Sequence, residues 1–184
     1  MAVDEKAAER VLSFWFEELG KARWFQPPEG LDDLIRDRFA DLHRALAQGD
    51  ISAFRSSGRY RMAAILVLDQ FPRNMYRGTP MAFSTDWMAL REARLLVDAG
   101  LDRELDTHAR CFSYLPFEHS EDVDDQDRAV ALFSDLGDAE YLDFARRHRD
   151  VIVRFGRFPH RNGILGRETT EAELDYLSQP GSGF

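Results

Sequence analysis

The sequence predicts an all-α fold, a set of about seven to eight helices stacked as antiparallel hairpins. Three observations predict it. Apolar residues return every three or four positions through almost the whole chain, no stretch alternates with period two, and the segments between the periodic runs are short and rich in Gly, Pro or capping residues. Helices joined by short loops pack as neighbouring hairpins, so the same pattern that fixes the class also fixes the local topology.

Taken in order, Val3, Ala7, Val11, Phe14 and Leu19 predict a first helix from a cap at Asp4 to Gly20. Leu31, Leu34, Ile35, Phe39, Leu42 and Leu46 predict a second, ending before Gly49 and pairing with the first. Between them, Trp24, Phe25, Pro27 and Pro28 form a turn whose aromatic rings dock on the pair, because proline cannot continue a helix. The apolar run Met62 to Leu68 fits a buried strand or a buried helix by periodicity alone. A span of about thirteen residues, from a cap at Ser56 or Ser57 to Pro72, favours a central helix. Ser84 or Thr85 caps the next, with Trp87, Leu90, Ala93, Leu96 and Val97 facing inward. A shorter helix covers residues 107–115 and stops at Pro116. Ser120 caps another, striped by Val123, Val130, Phe133 and Leu136, and Asp138 opens the last long helix, with Tyr141, Phe144, His148, Ile152 and Phe155 on one face up to Gly156. Thr170 and Glu173 have the spacing of a capping box, which starts a short final helix. Residues 1–178 therefore read as one domain and residues 179–184 as a flexible tail.

Composition narrows the function classes. A chain of 184 residues with a net charge of −9 is large enough for a real core and too acidic for general nucleic-acid binding, which needs a basic surface. Lys6 and Lys21 are the only lysines among 24 basic residues, so nearly all the positive charge sits on guanidinium groups, the side chain suited to forked pairing with carboxylate or phosphate. One cysteine, Cys111, permits no internal disulfide and suits a reducing cytoplasm. No apolar run of about 18 residues asks for a membrane. Cofactor signatures such as Gly-x-Gly-x-x-Gly and the phosphate-loop Gly-Lys-Ser/Thr are missing, as is Gly-x-Ser-x-Gly, so no cofactor is expected. His-Glu-x-x-His and paired Cys-x-x-Cys do not occur, and Asp122 to Asp127 lacks the turn glycine and the position-twelve carboxylate of a calcium loop; no metal is expected.

Three segments are too specific for ordinary connections: 68–80 (LDQFPRNMYRGTP), 115–121 (LPFEHSE) and 155–167 (FGRFPHRNGILGR). Each mixes aromatics and prolines, which fix the backbone, with Arg, His, Asn or carboxylates, and rigid polar loops suit binding sites. Phe71-Pro72-Arg73-Asn74 is echoed by Phe158-Pro159-His160-Arg161-Asn162. With Phe14-Trp15-Phe16 and Arg23-Trp24-Phe25, these segments resemble a bacterial family of uncharacterised proteins, the domain of unknown function nine-two-four. That resemblance spans nearly the whole chain. It implies a helical fold related to tetratricopeptide-repeat proteins, with hairpins stacked around a groove, and it implies no agreed activity; the chain has no 34-residue repeat of its own.

The leading expectation is a binding module in which Asp69, Arg73, Asn74, Arg157, His160, Arg161 and Asn162 rim a site for a small anion or a protein segment, since guanidinium groups fork onto carboxylate and phosphate. It requires Arg73, His119, Arg157, His160 and Arg161 to lie together. An alternative is a small hydrolase-like enzyme using Glu118 or Glu121 with His119 or His160 as acid and base. A third reading makes the motifs loop locks, with the acidic run 118–127 and the arginine-rich run 146–167 joined by ion pairs. His148, on an apolar stripe, reads as a core histidine.

Overall fold

The protein is described by a computed structural model covering residues 2–24, 26 and 28–183. The fold is all-helical: 73% of the described residues are helical, and there is no strand among them. Phe25 and Pro27, assigned above to the first turn, lie outside the described residues.

The helices are α1 (Glu5–Leu12), α2 (Lys21–Trp24), α3 (Leu31–Ala47), α4 (Gly58–Ile65), α5 (Phe71–Met75), α6 (Asp86–Asp98), α7 (Thr107–Glu118), α8 (Val123–Leu136), α9 (Ala139–Phe155) and α10 (Glu171–Leu177). Several expected caps are present. Asp4 accepts from the Ala7 N–H at 2.8 Å, Ser57 from Tyr60 at 3.1 Å, and Asp138 from Glu140 and Tyr141 at 3.0 and 3.2 Å. Thr170 and Glu173 form the full capping box. Gly156 ends α9 in the left-handed region at φ 70°, where a side chain would be strained.

By contacts the chain gathers into two compact units, Met1–Arg77 with Met81–Pro116, and Gly78–Pro80 with Phe117–Phe184. In the first, α1 packs chiefly on α4, α3 on α5 and α4 on α6, so the partners are not simply sequence neighbours; the expected first helix meets α3 through its continuation, with Phe14 on Phe39 and Glu18 on Arg38. Its core is aromatic. Phe39 and Phe71 lie 4.8 Å apart, Phe14 is 5.1 Å from Phe39, and Trp15 is 5.7 Å from Phe71 and 5.4 Å from Phe112. Trp24 closes this junction: its ring is 5.6 Å from Phe16, in the continuation of α1, and 4.9 Å from Phe112 of α7, and its indole N–H donates to the Trp15 carbonyl at 2.9 Å. In the second unit α8 and α9 form a hairpin across Gly137 and Asp138, and Val151, Ile152 and Phe158 make a small core with Phe155 and Tyr176. Its last residues are tied down: Arg147 donates to the Gly181 carbonyl and Ser182 to that of Leu177, both at 3.0 Å.

Several expectations change. Both prolines expected to stop helices are helical: Pro116 sits inside α7, and Pro72 opens α5 directly after π-helical turns, Leu66–Gln70, that carry α4 onward. Similar wide turns, Ser13–Leu19, extend α1. Thr85 lies at the N-terminus of α6 without capping it, because its hydroxyl donates to the Leu68 carbonyl at 2.7 Å. That carbonyl would accept from residue 72 in an α-helix, and proline has no N–H to give. His43 completes the arrangement: Thr85's single proton is committed to Leu68, so the contact of 3.2 Å is an imidazole Nε2–H donating to Thr85. Finally, α6 is rotated from its expected stripe. Met88, Ala89, Glu92, Ala93 and Leu96 are buried, while Trp87 is 63% exposed; Leu34, Val123 and Phe144 also face out, and α8 is capped by Asp122 rather than Ser120.

Replacing Thr85 with Val keeps the shape and removes both hydrogen bonds. The expected cost is about 1–3 kcal/mol, the penalty of a buried carbonyl without its donor, read as a lower urea midpoint at an unchanged slope.

Candidate functional site

In the first unit residues 69–77 of the first segment form an internal brace. Asp69 is fully buried, its carboxylate 3.2 Å from the Arg73 guanidinium. Arg73 also forks onto Asp86 at 2.9 and 3.0 Å, tying α5 to the start of α6. Asn74 donates to Asp32 of α3 at 2.9 Å, and Arg77 forks onto the same carboxylate at 2.7 and 3.0 Å. From α3, Arg36 returns two bonds to the Met75 carbonyl at 2.8 and 3.1 Å. The carboxyl of Asp32 stays below its ordinary range, chiefly through Arg77.

The second unit repeats the device. Arg157 forks onto Glu173 of α10 at 2.6 and 2.8 Å and donates to the Glu168 carbonyl at 2.8 Å, while Asn162 adds a longer bond to Glu173 at 3.3 Å. Held first by Arg157 and against the opposing effect of burial, the Glu173 carboxyl is lowered to about 2. The sequence echo thus has a structural counterpart: in both units an Asn after the Phe-Pro pair and a nearby Arg share one carboxylate. Glu121 accepts from Arg167 at 2.8 and 2.9 Å and from the Phe158 N–H at 2.9 Å. Burial would raise its pKa, and these bonds more than offset that. Arg149 pairs with Asp127, so ion pairs do join the acidic and arginine-rich runs.

Around Phe158 the four residues considered for acid–base work gather with a fifth. Buried Glu118 lies 3.2 Å from Nδ1 of His148, which also contacts the Phe144 carbonyl at 2.8 Å. The His148 ring is 6.4 Å from that of His119 and 5.6 Å from Phe158; His160 lies 5.6 Å from Phe158 on its own side, and the Arg161 guanidinium stacks over the Phe158 ring at 4.5 Å. His119, Arg161, His160, Glu118 and Glu121 therefore share one neighbourhood with Arg157 and Asn162. Asp69, Arg73 and Asn74 belong to the cluster of the first unit. Burial first, then the neighbouring His119, Arg161 and His160, push the His148 pKa down to about 3, so the imidazole is neutral and at 4% exposure is a core group, as the apolar stripe predicts. No group of three or more His, Cys, Asp or Glu among the described residues has the arrangement to hold a metal. Among the described residues, open depressions elsewhere include one of about 210 Å³ lined by Arg147, Asp150, Arg154 and Tyr176, and one of about 420 Å³ lined by Phe14, Leu19, Arg23 and Leu34.

One cluster was missed from the sequence. Glu92 of α6 is fully buried and receives five hydrogen bonds from three arginines: two from Arg55, one from Arg61 and two from Arg91. The available signal was its position, since 89, 92, 93 and 96 make a helical stripe in which Glu92 is the one charged member.

Two buried histidines set a pH dependence. His148 at about 3 and His43 at about 4, the latter through burial, both lie below the ordinary imidazole value of 6.5. Below that value the unfolded chain takes up protons that the folded chain refuses, so stability falls as pH falls. Denaturant unfolding between pH 6.5 and 5 should show a slope approaching about two protons, reduced by about one in His148→Gln.

Comparison with known proteins agrees with this architecture. A family model described as a bacterial protein of unknown function, DUF924, matches residues 11–181. A solved structure of a protein of unknown function from Agrobacterium tumefaciens is similar at 41% identity and a TM-score of 0.90, covering 95% of this chain and 98% of that one. No curated protein matches. The chain belongs to the bacterial DUF924 family.

Proposed function

We propose that this chain is a non-catalytic helical binding module of the bacterial cytoplasm, a tetratricopeptide-like stack of hairpins that takes an anionic small molecule or an acidic protein segment. The observation that carries the non-catalytic side of the reading, and moves the ligand away from the motif loops, is the commitment of the motif arginines. Arg73, Arg157 and Arg167 each spend their forked donors on carboxylates of the chain, with Asp69 and Glu173 fully or almost fully buried. Such groups are braces: they hold helix ends in place and leave ligand recognition to other surfaces. The Glu118–His148 contact supports the same view, because a neutral, buried imidazole with a pKa near 3 is not poised for proton transfer near neutrality.

A thermal-shift panel of phosphates, carboxylates and metal ions tests the reading. A ligand held at about 100 times its Kd should add about 2.7 kcal/mol to the native state. The expected result is a saturable rise with at least one anion, retained in Arg161→Ala, whose own melting point is lower. Turnover of model esters or phosphoesters that disappears in Glu118→Gln or His160→Ala would replace this reading with an enzymatic one.

A further inference from the structure

The geometry points to a binding site for a phosphate-monoester dianion on Arg55, Arg61 and Arg91, gathered over buried Glu92, with the organic part of the ligand lying against exposed Trp87. It rests on the binding-module reading and gives that reading a place and a ligand class.

The charge balance sets this cluster apart. At the braces, guanidinium groups are matched or outnumbered by acids: Arg73 meets Asp69 and Asp86, Arg157 meets Glu173, and Arg167 meets Glu121. Around Glu92 the ratio reverses, with three guanidinium groups on a single carboxylate. Two positive charges remain uncompensated in the cluster, on a chain whose net charge is −9. The arrangement is anchored from below. Glu92 has no exposure, whereas the side chains of Arg55 and Arg91 are 37% and 43% exposed, so the carboxylate gathers the arginines from the core side and presents their outer edges to solvent.

Donor capacity remains. A guanidinium group carries five N–H donors, and the bonds to Glu92 use five from the three groups together. The Nε of Arg61, shielded from solvent, meets no acceptor among the described residues. Convergent guanidinium forks with a surplus of two charges match the charge and the three acceptor oxygens of a phosphate monoester. Arg91 links the charged part to an aromatic one: its guanidinium touches Glu92 at 3.0 Å and lies 5.7 Å from the centre of the Trp87 ring. An indole that is 63% exposed, one helical turn before that arginine, offers a flat face beside the anion site.

Isothermal titration and thermal shift with inorganic phosphate and adenosine monophosphate, against sodium chloride at matched ionic strength, test the site. Both phosphates should bind saturably, the nucleotide more tightly. Arg55→Ala/Arg91→Ala leaves Arg61 on Glu92 and should weaken both by about tenfold or more, the effect of losing charge-assisted bonds. Arg55→Lys/Arg91→Lys, which keeps the charge and removes the forks, guards against a folding defect and should also bind more weakly than wild type. Trp87→Ala should weaken the nucleotide and leave inorganic phosphate unchanged. Equal affinity in wild type and both double variants overturns the site, as does absence of phosphate and nucleotide binding while another anion of the panel binds; in either case the module reading survives. If no member of the panel binds, both readings fall together.

Discussion

A carboxylate withdrawn from water is tolerated only when its charge is met by a well-oriented partner, and the most deeply buried carboxylates among the described residues meet that condition. Asp69, Glu92 and Glu173 are each 2% exposed or less, and each lies against one or more guanidinium groups. Desolvating an ion pair costs several kcal/mol per ion, which only good geometry and further hydrogen bonds offset. That requirement makes the pairs a source of specificity. Glu92 is satisfied only if the turn carrying Arg55, the start of α4 and the middle of α6 meet at one point; Glu173 is satisfied only if α10 folds back on the segment after α9. The near-exclusive use of arginine fits this demand, since a planar fork can hold a carboxylate by two bonds where an ammonium offers a single point charge.

The helical class was legible because apolar periodicity reports burial directly. Caps and stops were legible for a similar reason: Asp4, Ser57, Asp138, Gly156 and the Thr170–Glu173 box act through bonds to residues two to four positions away. The failures are non-local. Pro72 and Pro116 should end helices on local grounds, yet Thr85, from another helix, supplies the donor that Pro72 lacks. Helical spacing with Leu90, Ala93, Leu96 and Val97 places Trp87 inward, whereas the buried stripe of α6 runs through Met88, Ala89, Glu92, Ala93 and Leu96 and brings Glu92 under three arginines.

The candidate site divides in the same way. The segments 68–80, 115–121 and 155–167 stood out by composition, and the structure finds each of them engaged in polar contacts. What composition could not give was the partner of each group, because Asn74 reaches Asp32, Arg167 reaches Glu121 and Arg157 reaches Glu173 across long stretches of sequence. His148 was readable from its place on an apolar face. The cluster on Glu92 was hidden by ordinary spacing, since none of its arginines lies in an unusual motif.

The wide turns at 13–19 and 66–70 have a consequence for how the chain can vary. A turn closed through one additional residue sets everything after it about 100° around the axis from where an uninterrupted α-helix would put it. Phe71, which meets Phe14, Trp15 and Phe39, owes its bearing to such an offset. Shortening the helix by a single residue there would swing the aromatic cluster out of register even if every other side chain were kept. Length in these two turns is therefore constrained more tightly than the identity of the residues that compose them.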